Sequence, residues 1–329
     1  MPPDRRRIML LVLGAHRSGT SVTTRMLECL GARPSARLHD PLPNNPKGFF
    51  EDVDVQRFNE YELLPAVGSR WHDLAPIEWG TLDTAARSRL AARAADILLA
   101  NFAADAPLAV LKDPRMCVLL PFWLEVLDRA GFDTRFVCAV RDPLSVARSL
   151  EARDGLSLAH GAMLYASNWL SAHHPWHDRP VAYVSYDALL EQPARELERV
   201  AGDLDLPRPA DFGERVERAR VEFLDPTLRH GRAGEAAMDR ERELPPLAIA
   251  VHRALQAAAS GDAAGVRLAR AEIADLHGQI APVVPLLRAH DLLYARHQSV
   301  RGAHANLANE VSQLRGLLQA AEADRKSVV

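Results

Sequence analysis

At 329 residues the chain holds one large domain, or one domain with an appendage. Forty Lys and Arg against 43 Asp and Glu leave a net charge of -3. That balance removes any bulk electrostatic case for nucleic acid or an anionic membrane surface as partner. Three cysteines, Cys29, Cys117 and Cys138, have neither metal-like nor paired spacing, which points to a reducing compartment.

In chain order, Ile8 to Leu13 reads as a buried strand and Ser21 to Leu30 as the following helix, ended near Gly31. The opening MPPDRRRIMLLVLGA imitates a secretion signal. Its apolar run is short, lacks a cleavage pattern and enters a glycine turn directly, so a strand is the reading and a cytoplasmic location the expectation. No stretch is long and apolar enough to suggest a membrane span. Pro34 to Gly48 is Pro- and Asn-rich and reads as a loop of the length that carries function. Ala92 to Phe102 reads as a helix. Leu108 to Leu111 is a second strand, ending at Lys112-Asp113-Pro114-Arg115. Phe122 to Ala130 is a helix, Arg135 to Val140 a third strand ending at Arg141-Asp142-Pro143, and Val181 to Val184 a fourth.

Strands that are apolar throughout, alternating with helices, predict an α/β chain. The expected fold has three layers and is P-loop-like, with a central parallel sheet covered on both faces. Ligands of such sheets bind beyond the carboxyl ends of the strands. Three of the four ends carry basic residues, Arg17, Lys112 with Arg115, and Arg141, which predicts an anionic ligand. After about Gly234 the chain becomes rich in Ala, Leu, Arg and Glu. Residues 1–235 are therefore expected as the main domain and 236–329 as a helical extension. Leu286, Leu293, Val300, Leu307 and Leu314 repeat every seven residues, with Val311 and Leu318 on the companion stripe, the pattern of a long helix or coiled coil. The earlier companion positions are His290, His297 and His304; an exposed wet face is the expectation, and a pH-sensitive or metal-bound helix pair the alternative. A homo-oligomer or a partner bound through this helix is expected.

The stretch GAHRSGTS, Gly14 to Ser21, follows the first strand and opens the first helix. Its glycine spacing and final serine fit the phosphate loop G-x-x-x-x-G-K-[ST], but Thr20 stands at the lysine position. A glycine turn entering a helix offers backbone N–H groups and a positive dipole end to an oxyanion. The missing lysine weighs against ATP hydrolysis, for which Asp113 and Asp142 are the available magnesium ligands.

His16-Arg17-Ser18-Gly19-Thr20-Ser21 resembles the 5′-phosphosulfate loop of the sulfotransferase family, [KR]-S-G-T-[ST]. Arg141-Asp142-Pro143 followed by Ser149 resembles that family's 3′-phosphate motif, R-[DN]-P-x5-S. Lys112-Asp113-Pro114 resembles the K-D-P turn of the tyrosylprotein group. Val184-Ser185-Tyr186 with Leu189-Leu190 resembles the strand and helix whose tyrosine approaches the adenine. Arg153 lies where the family often adds an arginine on the donor's phosphate, and Phe223 to His230 resembles a closing segment of bacterial members. The resemblance runs from about Ile8 to Leu206. It implies 3′-phosphoadenosine 5′-phosphosulfate (PAPS) as donor, its bisphosphate (PAP) as product, no metal, and a hydroxyl acceptor, carbohydrate being one candidate. Arg17 would neutralise the leaving oxygen and Lys112 the sulfuryl group. His16, Ser18, Gly19, Thr20 and Ser21 would cradle the 5′-phosphosulfate, with Arg141, Ser149, Arg153 and Tyr186 holding the rest of the nucleotide.

An alcohol acceptor needs a base. Glu51 in Asn45-Pro46-Lys47-Gly48-Phe49-Phe50-Glu51-Asp52 is the main candidate, with Asp52, His16 and His72 as alternatives. Lys47, Phe49, Phe50, Trp71, His72 and Trp79 are candidates for the acceptor pocket. Two other functions stay open on sequence alone. One is a P-loop kinase for a small molecule; the other is a non-catalytic binding protein on the same fold.

Overall fold

Four short apolar segments form one parallel sheet. The computed structural model describes residues 7–41, 47–173, 179–224, 234–260 and 263–327. Strands β1 (Ile8–Leu13), β2 (Leu108–Lys112), β3 (Asp133–Val140) and β4 (Val181–Ser185) lie in the order β2-β1-β3-β4. Leu11 is level with both Leu111 and Phe136, and Val140 with Ser185. The basic strand ends therefore converge on one edge of the sheet, as expected.

Alternation along the strands supplies both buried faces. Leu10, Val12, Val110, Val137 and Val184 share one core. It is completed by helices α1 (Thr20–Leu27), α8 (Pro193–Asp203) and α9 (Phe212–Glu222). Met9, Leu11 and Leu13 point the other way and are also fully buried. The second face is covered by α4 (Met116–Arg129), α6 (Leu158–His173) and α11 (Pro246–Ala259). The three-layer reading holds. Beyond β2, residue Arg33 adds a one-residue parallel bridge: its N–H donates to Leu108 O at 3.0 Å, and Val110 N–H donates to Arg33 O at 3.0 Å.

Capping residues set the remaining helices. Asp52 caps α2 (Val53–Phe58), Asp83 caps α3 (Thr84–Asn101), Asp142 caps α5 (Pro143–Asp154), and Ser185 caps α7 (Tyr186–Glu191). Two helices are longer than the sequence pattern indicates. The α3 cap lies before the apolar stripe begins, and α4 runs through Pro121, where a sequence reading stops. The first helix is shorter; it tightens into a 3-10 turn over Glu28–Leu30 and ends at Gly31.

A short helix, α10 (Glu235–Met238), leads to α11 and α12 (Ala263–Ile280). Helix α11 packs on α6, β3 and β4, and α12 packs on α11 and α6. The first compact unit accordingly spans Met1–Ala281, past the sequence-based division at 235, because α11 packs on the sheet and α12 packs on α11 and α6. The second unit, Pro282–Val329, holds the 44-residue helix α13 (Val284–Ser327). No helix among the described residues is long and apolar enough to cross a membrane.

His252 on α11 is buried, with Tyr165 Oη 3.3 Å from its Nδ1. Burial lowers its pKa to about 4, outweighing the opposing charges of Glu235 and Asp187, and Arg253 adds a smaller downward contribution. A folded-state pKa below the unfolded value near 6.5 means that the unfolded chain takes up the proton first. The contribution is complete above pH 6.5 and is lost as pH falls towards 4, by roughly 3 kcal/mol in all. Denaturant unfolding at pH 7 and pH 5 should show a loss of stability that is smaller in His252→Asn. An equal loss in that variant would assign the effect elsewhere.

Candidate active site

The turn after β1 is shaped by two glycines. A Cβ on Gly14 would lie 2.5 Å from Ser18 Oγ, and one on Gly19 would lie 2.2 Å from the Tyr186 ring. Gly19 also has φ +90° and starts α1. Ser18 folds back on the turn, its Oγ donating to Ala15 O at 2.7 Å. Thr20 is buried at the start of the helix, and its carbonyl accepts from Thr24 Oγ1 at 2.8 Å. Arg17 has φ +70°, a left-handed conformation that costs a non-glycine residue about 1 kcal/mol. The first-turn N–H groups of α1 lack intrahelical partners, so the turn and the helix start could receive an oxyanion.

Cations surround that site. Arg17 Nε donates to Ser149 Oγ at 2.8 Å, across from α5. Arg141 donates to Arg17 O at 3.1 Å, and its guanidinium lies 4.6 Å from the Tyr186 ring centroid. Arg17 thus stands between the two residues of the R-D-P-x5-S stretch, bonded to Ser149 through its side chain and to Arg141 through its carbonyl. Burial lowers the Arg17 pKa, and Arg153 and Arg141 add to that. Arg153 pairs with Asp154 at 2.7 Å and stands 5.8 Å from the Trp71 ring. Trp71 in turn packs on His16, centroids 4.8 Å apart. His16 Nε2 is buried and has no hydrogen-bond partner among the described residues. Its pKa is held well below the usual histidine value, first by burial and then by Arg115, Arg153, Lys112 and Arg17. His16 is therefore a neutral imidazole with an unused polar atom.

On the other side of the turn lies Lys112, 3% exposed. Its Nζ donates to Glu51 Oε1 at 2.6 Å, to Phe49 O at 2.9 Å and to Ser21 Oγ at 3.3 Å. Ser21 Oγ also donates to Phe49 O at 3.0 Å. Glu51, Lys112 and the loop are thereby joined in one network. Asp52 is occupied differently: it accepts from Ser35, from Val55 N–H at 2.7 Å and from Asn101 at 2.9 Å, so its work is capping and anchoring. Asp113 accepts from Asn59 at 3.0 Å and from Arg115, and Asp142 accepts from Ser145 N–H at 2.7 Å. The two carboxylates nearest to magnesium-ligand positions thus hold the local fold.

The acceptor-pocket candidates divide. Phe49 and Trp71 touch the cation network. Lys47 and Phe50 turn to α9, Lys47 donating to Glu222 O at 2.9 Å and Phe50 meeting the Phe223 ring edge-on at 5.5 Å. His72 O accepts from His160. Trp79 stacks on Phe122 and lies under Arg87. Asn45, Pro46 and the segment Asp225 to His230 lie outside the described residues.

Arg115, named with Lys112 at the basic end of β2 but given no role by the motifs, is engaged by carboxylates. It bonds Glu60 at 2.6 Å and Asp113 at 2.9 Å. Asn59 begins a π-helical turn, Asn59–Leu63, and carries Trp123 Nε1 at 2.8 Å. Beside Arg141, beyond the ends of β3 and β4, lies a cavity of about 290 Å³ lined by Asp142, Ser185, Asp187, Glu235 and His252. The glycine turn, its cations and the unsatisfied His16 suit an anionic group with several oxygens.

A family model described as "Sulfotransferase family" matches residues 10–210. No curated protein is a significant match. Among solved structures, the sulfotransferase domain of the Synechococcus PCC 7002 olefin synthase is 18% identical, with 76% of this chain and 96% of that chain covered and a TM-score of 0.37. Sulfotransferase STF9 from Mycobacterium avium is 17% identical, with 69% and 70% covered and a TM-score of 0.41.

Removing Lys112 strands a carboxylate that is mostly shielded from water. Lys112→Met should destabilise the chain by about 3 kcal/mol. Adding Glu51→Gln should recover a large part, as read by denaturant unfolding. Simple additivity of the two changes would mean that the pair contributes no coupling.

Proposed function

The chain belongs to the sulfotransferase family, and from that premise we propose that it transfers a sulfuryl group from PAPS to a hydroxyl of a saccharide, glycolipid or small metabolite. The observation that carries this reading is the network joining Glu51, Lys112 and Ser21 to the glycine turn. It sets the Glu51 carboxylate beside the glycine turn, which supports reading Glu51 as the base. A reducing compartment such as the cytoplasm suits three buried free thiols.

The donor supplies an electrophilic sulfuryl group on a phosphate leaving group. Arg17 places permanent charge where the leaving oxygen becomes anionic, and Lys112 does so for the sulfuryl oxygens. Ser18 to Ser21 hold the 5′ end through N–H and hydroxyl groups. His16, being neutral, offers Nε2 without adding charge. Arg141, Ser149 and Arg153 recognise the 3′-phosphate, and Tyr186 supports the nucleoside. Lys112 engages Glu51 Oε1 and so orients the carboxylate; Oε2 accepts the acceptor's hydroxyl proton.

Calorimetric titration with PAP, beside magnesium ATP, tests the donor. The bisphosphate should bind and magnesium ATP should not; the reverse would return the kinase reading. Arg141→Ala should erase the preference for a 3′-phosphate over its dephosphorylated analogue. Once an acceptor is found, Glu51→Gln should lower transfer by about two to three orders of magnitude with PAP affinity retained. Full transfer in that variant would remove Glu51 as base. Tight PAP binding with no transfer to any of a broad set of hydroxyl compounds would favour a binding protein.

A further inference from the structure

Helix α13 leaves an apolar stripe uncovered. Leu286, Leu293, Val300, Leu307 and Leu314 are between 59% and 69% exposed, and Val311 is 38% exposed. Taking these leucines and Val300 as position d of a heptad, position a falls on His290, His297, His304 and Val311. Arg296 and Glu310 flank the seam at g, and Arg301 and Arg315 flank it at e. The stripe from Leu286 to Leu314 is about 43 Å long, and a sustained heptad of this kind is the signature of a helix that buries its seam in another helix.

We propose that the partner is a second copy of this chain, packed antiparallel with the two-fold axis near Gly302. The argument is the self-complementarity of the seam. In a parallel pair, like faces like, so His290, His297 and His304 each meet themselves and three layers contain no aliphatic side chain. In the antiparallel pair, His290 meets Leu314, Leu293 meets Val311, His297 meets Leu307, and Val300 meets His304. Every one of these layers then holds at least one aliphatic residue, and each imidazole lays its apolar body on it. The charges agree. A parallel pair sets Arg296 against Arg301 on both sides, offsetting its two Glu310–Arg315 attractions. The antiparallel pair sets Arg296 against Glu310 on both sides, with one like-charge contact where Arg301 meets itself at the axis. His-rich and aliphatic halves of one helix thus complete each other in a two-fold arrangement, which is the isologous contact of a closed dimer.

Sedimentation equilibrium of the full chain at micromolar concentration should give a dimer. Arg296→Glu should weaken it about tenfold, and adding Glu310→Arg should restore it. The sign separates the orientations, because Arg296→Glu would tighten a parallel pair by facing Arg301 of the second copy. Mild oxidation provides an independent reading, since the native cysteines are buried. His297→Cys with Leu307→Cys should give a disulfide-linked dimer, and Leu307→Cys alone should not. A monomer at these concentrations, tightening by Arg296→Glu, or efficient crosslinking of Leu307→Cys alone would each overturn the proposal.

Discussion

An ammonium group can be buried only when its hydrogens find oxygen. Lys112 meets that requirement with Ser21, Phe49 and Glu51, drawn from two chain segments remote from β2. The start of α1, the crossing chain at residues 49–51 and the end of β2 are consequently fastened at one atom. Asp113, the next residue, repeats the logic with opposite sign, drawing in Asn59 and Arg115. Because both residues of the Lys-Asp pair are buried at the strand end, the polypeptide has little choice about what lies against it. A site built this way is held by a rigid element and not by loop contacts alone.

The cations of the site are not equivalent. For Arg115, burial favours loss of charge, but Asp113 and Glu60 outweigh it and the net shift is upward. It is electrically satisfied and serves the scaffold. Arg17 has a hydroxyl as the partner of its Nε, and the combined effect of burial and neighbouring arginines is downward. Its charge is underbalanced by the protein, which is the condition in which an incoming anion gains most. The same surroundings that leave Arg17 underbalanced keep His16 neutral.

Much of this was legible along the chain. GAHRSGTS and the Arg141 to Ser149 spacing are local patterns, and a strand followed by a helix fixes where each must stand. The four strands were equally readable because each is apolar on both faces. What escaped notice depends on contacts between distant residues. Glu51 and Asp52 are neighbours with the same chemistry; only the positions of Lys112, Ser35 and Asn101 tell them apart. Trp79 has the composition of a pocket residue, and its place on Phe122 could not be read from its own surroundings in sequence. Pro121 hid the first turns of α4, since the proline rule has no knowledge of the packing that carries the helix through it.

The single-residue bridge at Arg33 has a further consequence. A parallel sheet ends at strands whose main-chain groups invite another strand to pair with them, which is how native sheets seed fibrils. Along β2, Leu108 O and Val110 N–H are already taken by Arg33, a residue too short a stretch to be extended and too charged to be stacked upon. The outer margin of β2 is thereby closed to edge-to-edge growth over its middle. A chain that meets its own copies at high local density can do so without that margin becoming a template for aggregation.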